Sequence, residues 1–359
     1  MERRVTHNPY LVSADQPIAA LTRDEAISDS TRAVNAKLAQ DLASMKPMEG
    51  LQEMREAYVK GELGLPASPK SSRARTMMIE GPGGPIELRI LVPNEVRGVY
   101  LHIHGGGWIA GSNDTWDDQL ELFGREAGMA TVSFNYRLAP EHPAPAAIDD
   151  SVAVASWLID NAAAEFGTSW LAIGGESAGS NLAALTLLRL RDQGKGGAFK
   201  AASLLFGCFD LSLTPSVFRA QGAPFVSLDA MRQFTSAFAG DTDLKDPSIS
   251  PLYADLHDLP PALFSVGSVD PLIDDSLFMH MRWQAAGNVS QLAIYPGGTH
   301  GFNSFDGEIA LAGNRGIAAF LAAVRADPEG FGFKPSASAD ERSRSVLGSG
   351  LISSQPQFG

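Results

Sequence analysis

The strongest constraint on this chain is a series of short apolar segments that begins near residue 75 and runs to about residue 300. VRGVYLHIH, MATVSFNYR, WLAIGG, AASLLFGCF, ALFSVGS and QLAIYPGG are nearly continuous apolar runs, not alternating ones. Strands buried on both faces of a mostly parallel sheet have this pattern. Ahead of them, TMMIEG and PIELRILVP flank a GPGG turn, which is a hairpin signal. Helical periodicity fills the intervals, in DDSVAVASWLIDNAAAEF, SNLAALTLLRLRDQ, DSLFMHMRWQAAG and NRGIAAFLAAVRAD. The alternation predicts one α/β layer fold.

Two regions break the alternation. Residues 1–65 contain helical spacing in SDSTRAVNAKLAQDLASM and GLQEMREAYVKGEL but cannot build a core alone. Residues 211–256 or so hold one helix, around MRQFTSAFAG, among Pro-containing irregular sequence. These read as N-terminal cap helices and a second cap segment, both set on an α/β domain spanning 66–333. Residues 334–359 are Ser-rich, lack periodicity and read as a loosely ordered tail.

Composition narrows the function classes. The formal net charge of -13 over 359 residues argues against nucleic acid, whose phosphates need a basic stripe, and against an anionic membrane surface. Cys208 is the single cysteine, so an intrachain disulfide and a Cys-based zinc site are both excluded. The first residues lack the apolar core of a signal peptide. No apolar run approaches the roughly 20 residues of a membrane helix. A cytoplasmic location is expected.

The chemistry-bearing signals are local. WLAIGGESAGSNLAAL runs from an apolar strand through Gly175-Glu176-Ser177-Ala178-Gly179 into a periodic helix. This is G-x-S-x-G in strand–turn–helix context, a turn tight enough to strain the serine and to exclude side chains two positions either side. Ser177 is thereby lifted to a helix N-terminus, where developing negative charge is favoured. His104-Gly105-Gly106-Gly107-Trp108 follows the strand GVYLHIH. Three glycines there leave backbone N–H groups free to hold an oxyanion. A phosphate cradle would need a following Gly-Lys-Ser/Thr, which is absent.

A nucleophilic serine needs a base, and the base an orienting carboxylate. Of seven histidines, His7 lies in the irregular N-terminus, His102 within a strand, His104 at the head of the glycine run, His142 and His257 in loops, and His280 on a helix. His300 follows the last strand in YPGGTHGF, at the carboxyl end where catalytic groups collect in such sheets. The strand ALFSVGSV ends at Asp270, with Pro271 stopping it. Asp274 and Asp275 fall in the next helix's first turn, where carboxylates cap. Asp270 is assigned the catalytic role and Asp274 a structural one, giving the chain order Ser177, Asp270, His300.

Together HGGGW at 104–108, NYRLAPEHPAPAAIDD from Asn135, GESAGSNLA from Gly175, DPLID from Asp270 and THGF around His300 resemble the hormone-sensitive lipase-like (family IV) esterases of the α/β-hydrolase superfamily. The resemblance spans about residues 79–326. It implies the α/β-hydrolase fold, a mostly parallel eight-stranded sheet flanked by helices, with a helical cap. It also implies backbone N–H donors at Gly106, Gly107 and Ala178, and supporting roles for Tyr136, Arg137 and Glu141 in the site wall. Asp149 and Asp150 look like helix N-terminal residues. Two positions depart from the family: Glu176, where Asp or Thr is usual, and Ser180, where Gly is usual.

The expected function is a serine carboxylesterase acting on small-molecule esters of short to medium acyl chain through an acyl-enzyme, with no metal or organic cofactor. An amidase or thioesterase would use the same triad, and a ligand-binding relative would typically have lost the base. Trp108, Trp116, Phe209 and Phe225 are candidates for the pocket lining. Homodimerisation through an edge strand near Gln291 is an expectation by analogy.

Overall fold

Each apolar run becomes a strand in the computed structural model, which describes residues 8–45 and 50–331. The strands are β1 (Arg75–Gly81), β2 (Gly84–Leu91), β3 (Gly98–Ile103), β4 (Met129–Phe134), β5 (Leu171–Glu176), β6 (Phe199–Leu205), β7 (Ala262–Gly267) and β8 (Ser290–Tyr295). They form one sheet in the order β1-β2-β4-β3-β5-β6-β7-β8. β2 is antiparallel to both β1 and β4, and the strands from β4 through β8 are parallel. In the middle of the sheet Leu101 pairs with Val132 on one side and Ile173 on the other. All three are fully buried, and each such side chain contributes about 1.5–3 kcal/mol through removal from water.

The ten α-helices among the described residues are α1 (Ile18–Leu21), α2 (Asp29–Ala43), α3 (Leu51–Lys60), α4 (Asp117–Ala127), α5 (Ala146–Phe166), α6 (Ala178–Leu190), α7 (Pro215–Phe218), α8 (Leu228–Ala239), α9 (Ile273–Ala285) and α10 (Glu308–Ala326). α4 and α10 pack together on one face of the sheet, while α5 and α6 pack together on the other. Helix α4 has no counterpart in the sequence reading. Four acidic residues and Gly124 dilute its apolar stripe, yet the parallel β3–β4 pair demands a crossover there. Ser28 and Ser227 cap α2 and α8 by accepting from the N–H groups of Thr31 and Ala230. The expected tail, 334–359, lies outside the described residues.

Two expectations change. α10 is long and apolar enough by composition to cross a bilayer, the one such described helix, but half of it is buried, and it packs on α4, β6 and β7 as a core helix. The β8 edge near Gln291 is not open for pairing with a second copy. The N–H of Val12 donates to Leu292 O and that of Ile294 to Tyr10 O, so the chain's own N-terminal segment covers the edge.

Asp117, at the start of α4, is fully buried and takes both Nε and Nη2 of Arg89 from β2, at 2.8 and 2.5 Å, and the Ser71 N–H at 2.7 Å. Removing one partner of such a pair strands a buried charge. Arg89→Met is expected to destabilise the fold by about 3 kcal/mol, lowering the thermal midpoint by roughly 4 °C; a shift under about 1 °C would refute this.

Candidate active site

β5 leads directly into the turn that carries Ser177. The serine has φ 56° and ψ -121°, a left-handed conformation that costs a non-glycine residue energy. The glycines are required by one neighbour. A Cβ on Gly175 would lie 2.1 Å from Ile103 O, and one on Gly179 would lie 1.9 Å from the same oxygen. The Ser177 N–H donates to Leu205 O, which pins the turn to β6. Ser180, one of the two departures from the family pattern, is fully buried and places its Oγ 2.6 Å from Gly175 O and 3.0 Å from Leu205 O. Its hydroxyl staples the same turn.

His300 and Asp270 meet this serine. His300 Nε2 is 2.9 Å from Ser177 Oγ, and His300 Nδ1 is 3.0 Å from Asp270 Oδ2. His300 and Asp270 are both buried. The Leu272 N–H donates to Asp270 Oδ1 at 2.8 Å, fixing the carboxylate. Phe206 packs on the imidazole at a centroid distance of 4.7 Å.

The glycine run lies against the turn. Gly106 has φ +110°, and a Cβ there would meet Ala110 O at 2.3 Å. Among the described residues no acceptor takes the N–H of Gly106, Gly107 or Ala178. His104 stacks on Tyr136 at 4.2 Å, and its Nδ1 is 2.8 Å from Gly105 O. Burial pushes the His104 imidazole down to about 4, so it is neutral at pH 7 and donates through Nδ1. The Tyr136 hydroxyl donates to His104 O at 2.9 Å.

Glu176 is buried beside Ser177 and bonds other groups. Its Oε1 accepts the Gly105 N–H at 2.7 Å, and its Oε2 is 2.9 Å from His102 Nε2. His102 Nδ1 in turn is 3.0 Å from Ser133 Oγ on β4. His102 is thus a bonded partner inside the core and not merely packed there.

A cavity of about 530 Å³ opens over Ser177 and His300. Its walls are mostly apolar and come from α3 (Leu51, Met54, Tyr58), α8 (Met231, Phe234) and the glycine loop. Of the aromatic lining candidates, Trp108, Trp116 and Phe225 line it. Phe209 does not: it is fully buried against Phe264. Phe206, Phe234 and Cys208 line the cavity and were not read from the sequence. The helical spacing of Met231, Phe234 and Phe238 on α8 and an exit loop after β6 were the available signals.

Asp274 and Asp275 fall in the first turn of α9 as expected, and Asp274 is structural, but capping is not their work. Neither Asp274 nor Asp275 caps α9 with its side chain. Asp274 accepts the Ser216 N–H. Asp275 accepts the N–H groups of Phe209 and Asp210 and the Thr214 hydroxyl. Burial pushes its carboxyl up to about 7. Both hold the segment that leaves β6 toward α8. Asp150 does not act as a simple helix-start residue either: it grips the Arg137 guanidinium and backbone N–H.

The chain matches the family model described as the alpha/beta hydrolase fold over residues 100–304. It is 35% identical over 274 residues to the esterase LipI of Mycobacterium tuberculosis, covering 71% of this chain and 84% of the relative. Carboxylesterase NlhH of the same species is 36% identical over 256 residues, covering 67% and 79%. Among solved structures, an esterase from Pyrobaculum calidifontis superposes with a TM-score of 0.70 at 32% identity, covering 81% of this chain and 97% of that one. An esterase/lipase from an uncultured bacterium gives 0.73 at 27% identity, covering 84% and 100%. This chain belongs to the α/β-hydrolase fold family, in its hormone-sensitive lipase-like branch.

One arginine ties α3 to the glycine loop. Arg55 donates to Ile109 O at 2.6 Å and Ala139 O at 2.9 Å, and forms a two-pronged pair with Glu141 at 2.8 and 2.7 Å. The guanidinium holds the Glu141 carboxyl down at about 2. A lowered folded-state value means the pair's stability is complete above the usual carboxylate range and lost as the pH falls through about 2. Glu141 is half exposed, so screening keeps the ionic part small. Arg55→Met leaves two carbonyls without their donor and is expected to cost about 1–3 kcal/mol. Melting curves from pH 7 to pH 2.5 should show the gap to wild type narrowing at the acid end; a widening gap would contradict the assignment.

Proposed function

We propose that this chain is a serine carboxylesterase in which Ser177 is the nucleophile, His300 the general base and Asp270 the group that orients His300. The observation that carries this reading is the continuous Asp270–His300–Ser177 contact, 3.0 and then 2.9 Å, at the floor of an apolar cavity. His300 takes the Ser177 proton as Oγ attacks the ester carbonyl. The N–H groups of Gly106, Gly107 and Ala178 receive the oxyanion. The tetrahedral adduct collapses, and His300 protonates the leaving alcohol. Water, activated by the same imidazole, then releases the acid from the acyl-enzyme. Apart from water, every group the cycle needs is a residue of this chain, which supports a reaction without an added cofactor.

The names of the relatives support an ester as the scissile group. The cavity supports a neutral substrate, because its charged-capable lining is limited to Glu176 and His300 and the rest is apolar or uncharged. A volume of about 530 Å³ suits short to medium acyl chains with a modest alcohol.

Ser177→Ala is expected to lower kcat on a chromogenic short-chain ester by on the order of 10³-fold or more; retention of most activity would sink the proposal. Met231→Trp narrows the cavity without touching the triad. It should reduce kcat/KM for an octanoate ester about 10-fold relative to the acetate ester. An unchanged ratio would show that the acyl chain runs elsewhere. Running ester, thioester and amide of one acyl group side by side tests the choice of scissile bond.

A further inference from the structure

Glu176 is the unusual residue of the turn, and its surroundings give it a role. Only 4% of its surface is exposed, so an unpaired carboxylate there would be costly. Both oxygens have donors: the Gly105 N–H at 2.7 Å and His102 Nε2 at 2.9 Å. The first of these belongs to the peptide unit that opens the glycine loop. That unit is gripped at both ends, its carbonyl (His104 O) by the Tyr136 hydroxyl and its N–H by Glu176. The next unit carries the Gly106 N–H, and its carbonyl (Gly105 O) is held by His104 Nδ1. Gly105 is also pressed on the turn: a Cβ there would lie 2.9 Å from Glu176 O and 3.4 Å from Ser177 Cβ. Glu176 is the one side chain of the nucleophile turn that bonds the backbone of the glycine loop. It therefore sets the spacing between Ser177 and the loop's N–H groups.

We propose that Glu176, backed by His102, is a positioning residue that holds the glycine loop in register with Ser177, so that Gly106 and Gly107 face the oxyanion. The inference rests on the esterase reading above. Glu176 does not touch the reacting atoms. Its effect appears where the oxyanion forms, because a misplaced donor is felt in the transition state and not in substrate binding.

The test compares full-length Glu176→Leu and Glu176→Gln with wild type. Leucine fills the space and makes neither bond. Glutamine keeps an acceptor for the Gly105 N–H and offers an N–H to His102 Nε2, which accepts in its other tautomer. Glu176→Leu is expected to lose about 10- to 100-fold in kcat, less than deletion of a donor outright, with KM within about 2-fold. Its affinity for a trifluoromethyl ketone inhibitor, which mimics the tetrahedral adduct, should fall by a similar factor. Glu176→Gln should stay within about 3-fold of wild type on both measures, by the same hydrogen-bond count. If Glu176→Leu does not fold by thermal melting, Glu176→Asp, one methylene short of Gly105, should show the same kcat-sided loss. A leucine or aspartate variant that keeps wild-type kcat, or that loses on KM with inhibitor affinity unmoved, overturns the proposal. So does a glutamine variant no better than leucine. Labelling of wild type by a fluorophosphonate separates the two readings. An unlabelled wild type overturns the esterase reading itself, whereas a labelled wild type with an unimpaired leucine variant overturns the role of Glu176 alone.

Discussion

The site depends on how closely the backbones of β3 and β5 approach at their carboxyl ends. The carbonyl of Ile103, the last residue of β3, sits where a side chain at either Gly175 or Gly179 would have to go. Because β3 and β5 are neighbours in the sheet, the segments leaving them are neighbours too. One becomes the glycine loop, the other the turn with Ser177. The pairing of a nucleophile with unhindered N–H groups is therefore a property of strand order and of two absent Cβ atoms. A single methyl at Gly179 would part the two segments, and no change among the site's side chains could restore them.

Bringing two backbones this close buries polar groups, and the chain satisfies the principal ones by crossing between segments. Ser180 returns to Gly175 and Leu205. Tyr136 reaches His104, and Glu176 reaches Gly105 and His102. Each bond on its own contributes about a kcal/mol net, but leaving any of these groups unpaired would cost more than that. The strain stored at Ser177, with φ 56°, is sustained by this surrounding network.

What the sequence made legible follows from that division. All eight strands, the nucleophile turn and the glycine loop are written in contiguous residues, as apolar runs or glycine spacings that periodicity and sterics translate directly. Asp270 and His300 were legible because strand ends in a parallel sheet converge, so position relative to a strand stands in for position in space. Helix α4 was not, because its stripe is diluted and its need arises only from the β3–β4 crossover. Phe209 was misplaced among the lining candidates, since nothing local distinguishes an aromatic that faces the cavity from one that turns into the core in the loop after β6. The covering of the β8 edge by Tyr10–Val12 joins segments some 280 residues apart and leaves no local trace. The purpose of Glu176 was illegible for the same reason: its partners are 71 and 74 residues away.

The walls of the cavity are less separate from the chemistry than a cap set on a sheet suggests. Leu51, Met54 and Tyr58 of α3 and Phe234 and Ala237 of α8 pack on a small apolar cluster of Ile109 and Ala110, which continue the glycine loop, and Ala139, from the segment after β4. Trp108 stacks flat on Phe238 of α8 at 4.6 Å. Phe234 lies where a Cβ on Gly107 would be, at 2.8 Å. Arg55 adds direct bonds from α3 to Ile109 O of the loop and to Ala139 O beside it. The residues that shape the substrate space thus also press on the loop whose N–H groups face Ser177. A change of wall residue then moves those N–H groups as well as the cavity's dimensions, and selectivity cannot be altered at Phe234 or Tyr58 without some displacement of the loop. Met231 lines the cavity on α8 outside that small cluster, so a change there reshapes the substrate space with less displacement of the loop.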